Sequence, residues 1–379
     1  MKYILVVNSG SATLKVKVFS QEDFSRKFEV NVERVGLNRS FLIYFYNKKA
    51  TKISFASGLK DHQQALREVI KILPNEIYKN IKTIGHRIVH GGPEFFQPTV
   101  LNPATVKKIS QYNVFAPIHN PINLKCVQES LKIFPKISQV GVFDTGLFRD
   151  LEPKVYLYPI ALKYYKNFGV RKYGFQGLSH ENMYREAVKK IGKIKLNLVT
   201  CHLGGGASLA VFKDGKVMDT TMGFTPVSGL MMSSRSGDID PYIPLFLSEK
   251  LKMTAEQVNH ELNFNSGIKG LLGYNDLREV LTAAGIKVQG YQSDKKYSKN
   301  QKKQAVLALE MFIYSIQRHI AGFAGLLNRI DAVVFSGGIG ERSDYIRQQV
   351  IRGLTFSNRP KVLIVKAEEE LMIARKIIK

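Results

Sequence analysis

The sequence predicts an α/β protein assembled from two similar halves. Three observations carry this reading: a strand–turn–strand segment occurs twice, strands and helices alternate throughout, and 379 residues suffice for two full cores. The first copy runs Tyr3–Val7, a turn Asn8–Thr13 and a return strand Leu14–Phe19. The second runs Leu196–His202, a turn Leu203–Ser208 and a return strand Leu209–Phe212. One copy alone reads as an ordinary hairpin. Two copies facing each other can grip a polyphosphate from both sides. Short Gly/Ser turns leave backbone N–H groups free to point at phosphate oxygens, and glycine permits close approach.

The elements follow in order. After the first hairpin comes a polar strand region, Phe28–Phe55. Asp61–Leu73 has Ala65, Leu66, Val69, Ile70 and Leu73 on one helical face, and Pro74 ends it. A short strand, Ile81–Ile84, leads into a glycine-bounded segment, Gly85–Gly92, and another strand, Gln139–Phe143, ends at Asp144. Ligands in open α/β sheets collect beyond the carboxyl ends of strands, where this reading places Arg87 and Asp144. Arg149–Pro153 breaks the pattern and suggests a boundary near 148–153. The second half opens with Arg171–His180 and a helix, then the second hairpin. Leu309, Phe312, Ile313, Ile316, Ile320, Phe323 and Leu327 predict a long helix over Lys303–Asn328 whose aromatics belong to the core. A buried strand, Asp331–Phe335, runs into Ser336–Glu341, which opens another helix.

Composition narrows the class. Hydrophobic content of 44% and charged content of 23% are those of a soluble globular protein. Two cysteines, Cys126 and Cys201, build no disulfide framework, and no Cys/His spacing resembles a zinc site. A reducing, cytoplasmic setting follows. No apolar run reaches membrane-span length, and the chain enters a strand after Lys2 with no room for a secretory signal. The formal net charge is +25, but most lysines are scattered. The one dense run, Lys295–Lys303, reads as a solvated loop entering a helix. With no reader motif, the charge argues for anionic small ligands rather than nucleic acid.

Glycine-rich turns stand at three strand ends: Asn8–Thr13, Gly204–Ser208 and Gly337–Gly340. None has P-loop or dinucleotide-fingerprint spacing. Gly337–Gly340 reads either as tight helix–strand packing or as close backbone approach to a nucleotide. Arg87 and Arg235 offer guanidinium forks that match carboxylate and phosphoryl oxygens, or else form local ion pairs, Arg235 with Asp238 or Asp240. Asp144 could hold magnesium or cap a helix. His86, His90, His119, His180 and His202 lie near these motifs without metal-site spacing, and structural hydrogen bonding suits the first three.

Seven ordered motifs resemble the acetate kinase family over nearly the whole chain. They begin with Asn8–Lys15 and Gly85–Gly92 and continue through Ala116–Pro121 and Val142–Thr145. Tyr173–Gly177, Arg235–Pro241 and Phe335–Glu341 follow in the family's order. The resemblance implies a duplicated two-domain actin-like ATPase (ribonuclease H-like) fold with the active site in the interdomain cleft. Residues 1–148, completed by a C-terminal helix at 370–379, would bind the acyl substrate and phosphate. Residues 149–369 would bind nucleotide and dimerise. It also implies a homodimer that transfers the ATP γ-phosphoryl group to acetate, with Mg2+ or Mn2+, giving acetyl phosphate and ADP, with no membrane partner.

The roles it implies are specific. Arg87 and Arg235 would bind the carboxylate and the transferring phosphoryl group, with Asp144, Gln176 and His180 beside them. Val89, Ile118, Phe175 and Pro226 would surround the methyl group. Asn8, Ser11, Lys15, His202, Gly204, Gly205 and Gly206 would meet phosphates, and Gly337, Gly338 and Ile339 the adenosine. Asn8, Asp144 and Glu369 would organise the metal. Acetate is already a nucleophile at neutral pH, so no general base is required. The work is to neutralise and align two anions. One methylene changes binding by only about 1–3 kcal/mol, so propionate is an expected secondary substrate. Two departures stand out: Gln176 where the family usually has His, and Gly205 where the acetate branch usually has Asn. His202–Gly206 looks more like the butyrate kinase branch, and Gly290–Gln304 looks like an atypical insertion. The alternatives are a propionate or butyrate kinase and a catalytically weak nucleotide-binding regulator.

Overall fold

Apolar alternation along the strands builds two sheets in the computed structural model, which describes residues 1–378. The chain divides into two units. One comprises residues 1–149, 176–178 and the segment from Glu368 onward; the other comprises 150–175 and 179–367.

The first unit has eight strands: β1 (Tyr3–Ser9), β2 (Thr13–Ser20), β3 (Arg26–Glu33), β4 (Ser40–Tyr46), β5 (Lys49–Phe55), β6 (Ile81–Ile88), β7 (Thr99–Val100) and β8 (Ser138–Phe143). Their order is β5-β4-β3-β2-β1-β6-β8-β7. β1 is antiparallel to β2 and parallel to β6, which is parallel to β8. The period of two sorts the side chains. Leu5, Val7, Leu14, Val16 and Val18 pack with Ala65, Leu66 and Val69 of the helix His62–Lys71. Ile4, Val6 and Phe19 pack with Met372, Ile373 and Ala374 of the C-terminal helix Glu369–Ile377. Asp61 caps its helix by accepting from the Gln64 N–H, so the sequence located that start correctly.

One expectation changes here. The strand expected to end at Ile84 runs on to Ile88, so Arg87 lies inside the end of β6 rather than just beyond it. The reason is two-sided pairing: Gly85 and His86 face Val6 and Val7, while Arg87 and Ile88 face Val142 and Phe143. Gly85 serves packing. A Cβ there would come 2.6 Å from Ile373 Cγ2 on the C-terminal helix.

The second unit has β9 (Leu198–Leu203), β10 (Ala207–Lys213), β11 (Lys216–Thr220), β12 (Ala332–Ser336) and β13 (Lys361–Ile364), ordered β11-β10-β9-β12-β13. β9 is antiparallel to β10 and parallel to β12, repeating the arrangement of β1, β2 and β6. The long helix spans Lys299–Gly325, starting earlier than the apolar spacing suggested. Ser298 and Gln301 form a capping box there, so polar capping rather than periodicity sets its start.

Candidate active site

In the first unit, β1, β6, β8 and the start of the C-terminal helix bring four of the expected residues together. Arg87 lies at the end of β6 and Asp144 directly after β8, so parallel pairing places them side by side. Arg87 Nη2 donates to Asp144 Oδ2 at 2.6 Å, and Nε reaches both carboxylate oxygens at 3.1 Å. Nη1 donates to Asn8 Oδ1 at 3.1 Å and lies 3.8 Å from Glu369. The Asn8 amide then donates to Glu369 at 3.1 Å and to Glu370 at 2.6 Å. Burial opposes the Arg87 charge, but Asp144 and Glu369 outweigh it and hold the guanidinium above its usual pKa. Burial pushes the Asp144 carboxyl up while Arg87 pulls it down. Asp144 therefore spends its oxygens on Arg87 rather than on capping a helix.

Buried asparagines tie down the backbone that follows Arg87 and Asn8, one of them, Asn123, outside the motifs of the sequence. Asn123 accepts from the Val89 N–H at 3.1 Å and donates to Ser9 Oγ at 2.9 Å. Asn120 accepts from the His90 N–H at 2.9 Å and donates to the His90 carbonyl at 2.8 Å. Both asparagines lie on the helix Asn120–Ile133, which His119 directly precedes. The only sequence signal for Asn123 was buried-side polarity on that helix. His86 Nε2 meets Gln139 Oε1 at 2.8 Å, and His90 Nδ1 accepts from the Gly92 N–H, which is structural hydrogen bonding as expected. Val89 is buried and Ile118 half-buried. Ser11 and Lys15 are exposed, with Lys15 opposite Asn8 in the β1–β2 register. Gln176 has a left-handed backbone, φ 58°, unusual for a residue with a side chain.

Around β9, β10 and β12 the second unit sets out hydroxyls, imidazoles and glycine turns. His180 Nδ1 lies 2.7 Å from Thr200 Oγ1, and its Nε2 lies 2.8 Å from Ser208 Oγ. Thr200 donates its own proton to the Ala210 carbonyl, so His180 Nδ1 must donate to it. Burial pushes the His180 pKa well below its usual value, with His202 adding to the effect. The ring is therefore neutral and Nε2 accepts the Ser208 proton. His202 Nδ1 lies 2.7 Å from Ser179 Oγ, and its Nε2 would stand 3.6 Å from a Cβ on Gly204. Gly337 has φ 79°, and a Cβ there would meet the Leu203 carbonyl oxygen at 2.6 Å. The Gly337 turn thus rests on the strand that feeds Gly204–Gly206. Glu341 accepts from the Gly337 and Ala367 N–H groups, putting a carboxylate beside this turn. That charge suits a neutral nucleoside at Gly337–Ile339 better than phosphates.

Arg235 is half-buried, its desolvation pushes its pKa below the usual value, and Nη1 reaches the Pro226 carbonyl at 3.4 Å. Asp238 accepts from the Gly229 N–H and lies 3.5 Å from His319, while Asp240 accepts from the Tyr242 N–H. Phe175 is buried, and its segment is tied to that of Pro226, because the Tyr173 and Gly174 N–H groups donate to the Gly223 carbonyl.

This geometry coincides with a match along almost the full chain: the sequence model of the acetokinase family covers residues 3–359. The chain belongs to the acetokinase family. It is 36% identical over 405 aligned residues to the acetate kinase of Carboxydothermus hydrogenoformans, covering 99% of this chain and 98% of that one. Among solved structures, a propionate kinase from Francisella tularensis subsp. tularensis SCHU S4 has a TM-score of 0.89 at 30% identity, covering 99% of both chains. The acetate kinase of Porphyromonas gingivalis has a TM-score of 0.83 at 31% identity, covering 99% of this chain and 98% of that one. The duplicated actin-like ATPase fold expected from the sequence is therefore the fold of this acetokinase.

Among the described residues, no three His, Cys, Asp or Glu side chains converge as a ready-made metal cage. Magnesium does not require one. It takes one or two carboxylates and completes its shell with substrate phosphates and water. The hard oxygens of Asp144 and Glu369, both near Arg87, fit that mode.

Proposed function

We propose that this acetokinase is an acetate kinase, transferring the ATP γ-phosphoryl group reversibly to acetate to give acetyl phosphate and ADP. The Arg87–Asp144–Asn8–Glu369 cluster carries the reading, because it places a bidentate cation among hard oxygen donors in the motif order of the family. Asp144 preorganises Arg87, so the guanidinium is aimed before substrate arrives. Arg87 and Arg235 neutralise the carboxylate and the phosphoryl oxygens, and no proton transfer is needed. Mg2+ bound by Asp144, Glu369 and Asn8 would neutralise phosphate charge. His202 and the Gly204–Gly206 turn meet phosphates, and Gly337–Ile339 the adenosine. His180 acts through Ser208, from whose hydroxyl its Nε2 accepts a hydrogen bond. Val89, Ile118, Phe175 and Pro226 form the apolar surround of the methyl group.

Exposed apolar side chains support the homodimer. Leu245 and Phe246 on the helix Tyr242–Leu251, and Leu307, Met311 and Tyr314 on the long helix, are each 43–65% exposed. A second copy would cover them. Among the described residues no helix is long and apolar enough to cross a membrane. Two buried, unpaired cysteines fit a cytoplasmic setting.

A hydroxamate assay with ATP, Mg2+ and acetate, propionate or butyrate in parallel tests the reading. Fastest product with acetate, abolished by Arg87→Ala or Arg235→Ala, supports it. Preference for propionate or butyrate moves the acceptor, and no product with any acid overturns it. The likeness to a propionate kinase makes propionate the acid to watch.

A further inference from the structure

Three consecutive glutamates, Glu368, Glu369 and Glu370, open the C-terminal segment, and the structure treats them differently. The Glu370 side chain is 3% exposed, against 16% for Glu369 and 33% for Glu368. Both Glu370 oxygens are engaged: Oε1 accepts from Asn8 Nδ2 at 2.6 Å, and Oε2 lies 2.8 Å from Lys17 Nζ. Lys17 also reaches Glu368 at 3.3 Å. It stands on β2 with its side chain 8% exposed, on the sheet face that also carries Val6 and Phe19.

A buried lysine is costly unless it is paired. Here burial opposes the charge, but Glu370 and Glu368 outweigh it and raise the ammonium pKa. The transfer chemistry gives this charge no direct task, yet it grips the neighbour of a proposed metal ligand.

We propose that Lys17 is a positioning residue that locks Glu370 onto Asn8 and so keeps Glu370 from competing with Glu369 for the metal. The inference rests on the reading of Asn8, Asp144 and Glu369 as the metal side of the site. Without the ammonium, Oε2 of Glu370 is released beside Glu369. Two adjacent carboxylates then offer a tighter but misplaced cation site, and the Asn8 amide loses its fixed acceptor.

The test compares Lys17→Met, Lys17→Arg and the double variant Lys17→Met/Glu370→Gln with the wild type. Mn2+ binding to nucleotide-free protein is read from the electron paramagnetic resonance signal of free Mn2+. Lys17→Met should bind Mn2+ about tenfold more tightly and lose kcat by about 10- to 100-fold, the range for outer-layer partners of metal ligands. Its KM for ATP should stay within about twofold, which separates positioning from general damage. Lys17→Arg, keeping the charge, should retain most of kcat. The double variant removes both buried charges and should return Mn2+ affinity and most of kcat to wild-type values. Lys17→Met with wild-type Mn2+ affinity and kcat overturns the proposal, as does a double variant that stays tight and slow. If Lys17→Met does not fold, the double variant alone decides by the same two readings. A wild type that phosphorylates no acid defeats the proposed function, while the Mn2+ comparison still judges the lock.

Discussion

The two units share one scaffold and furnish the strand ends of their paired hairpins differently, with Arg235 of the second unit lying outside its sheet. In each, an antiparallel hairpin lies beside a parallel strand: β1, β2 and β6 in the first, β9, β10 and β12 in the second. The first carries Arg87, Lys17 and four acidic side chains in one ion-paired cluster. The second carries neutral His180 between two hydroxyls and glycine turns packed on backbone. In the proposed reaction, charge density would suit the reacting groups, whose charge shifts during transfer, and neutral donors would suit a nucleotide that must bind and leave repeatedly. The contrast teaches that duplication supplied a frame, and that strand-end residues set what each copy does.

Breaking the charged half should cost most. Arg87→Ala should lower kcat by about 10³-fold, on the scale of losing an oxyanion donor, while ATP affinity changes little. Steady-state kinetics with equilibrium ATP binding checks this, and a large loss of ATP affinity would blur the division. Gly337→Ala should act in the opposite way. The left-handed φ and the Leu203 carbonyl 2.6 Å from a Cβ force the turn to shift, at about 1–3 kcal/mol. ATP binding by calorimetry should weaken by about tenfold or more, with acetate KM nearly constant.

Gln176→His sharpens the comparison from the first unit's side. Histidine can carry charge toward a phosphoryl oxygen where the Gln amide can only donate, so turnover should rise by about tenfold. An unchanged or lower rate sinks that idea. The smallest effect belongs to Gly205→Asn. A Cβ there meets nothing within 4 Å, so the turn accepts a side chain without strain. Thermal unfolding should move by no more than about 0.5 kcal/mol equivalent, and ATP affinity should tighten by a few fold, about 1 kcal/mol for one added hydrogen bond. A marked loss of stability would show that the turn requires glycine after all.

The fold was legible where local signals are strong. The repeated hairpin, the Asp61 cap and the apolar face of the long helix each depend on residues close in the chain. The sequence itself determined the α/β class, the duplication, and the placing of Arg87 and Asp144 at neighbouring strand ends, because strand-end charges and glycine turns keep their meaning without tertiary context. It ended the strand at Ile84 because a glycine that admits a packing helix looks like a glycine that makes a turn. Lys17, Glu370 and Asn123 were not singled out for a related reason. Lys17 and Glu370 are 353 positions apart in the numbering yet share an ion pair, and each looks like ordinary surface polarity in sequence. Only the tertiary structure decides which charged residue is desolvated and which partner meets it, since burial, not residue type, turns a solvated charge into a fixed one.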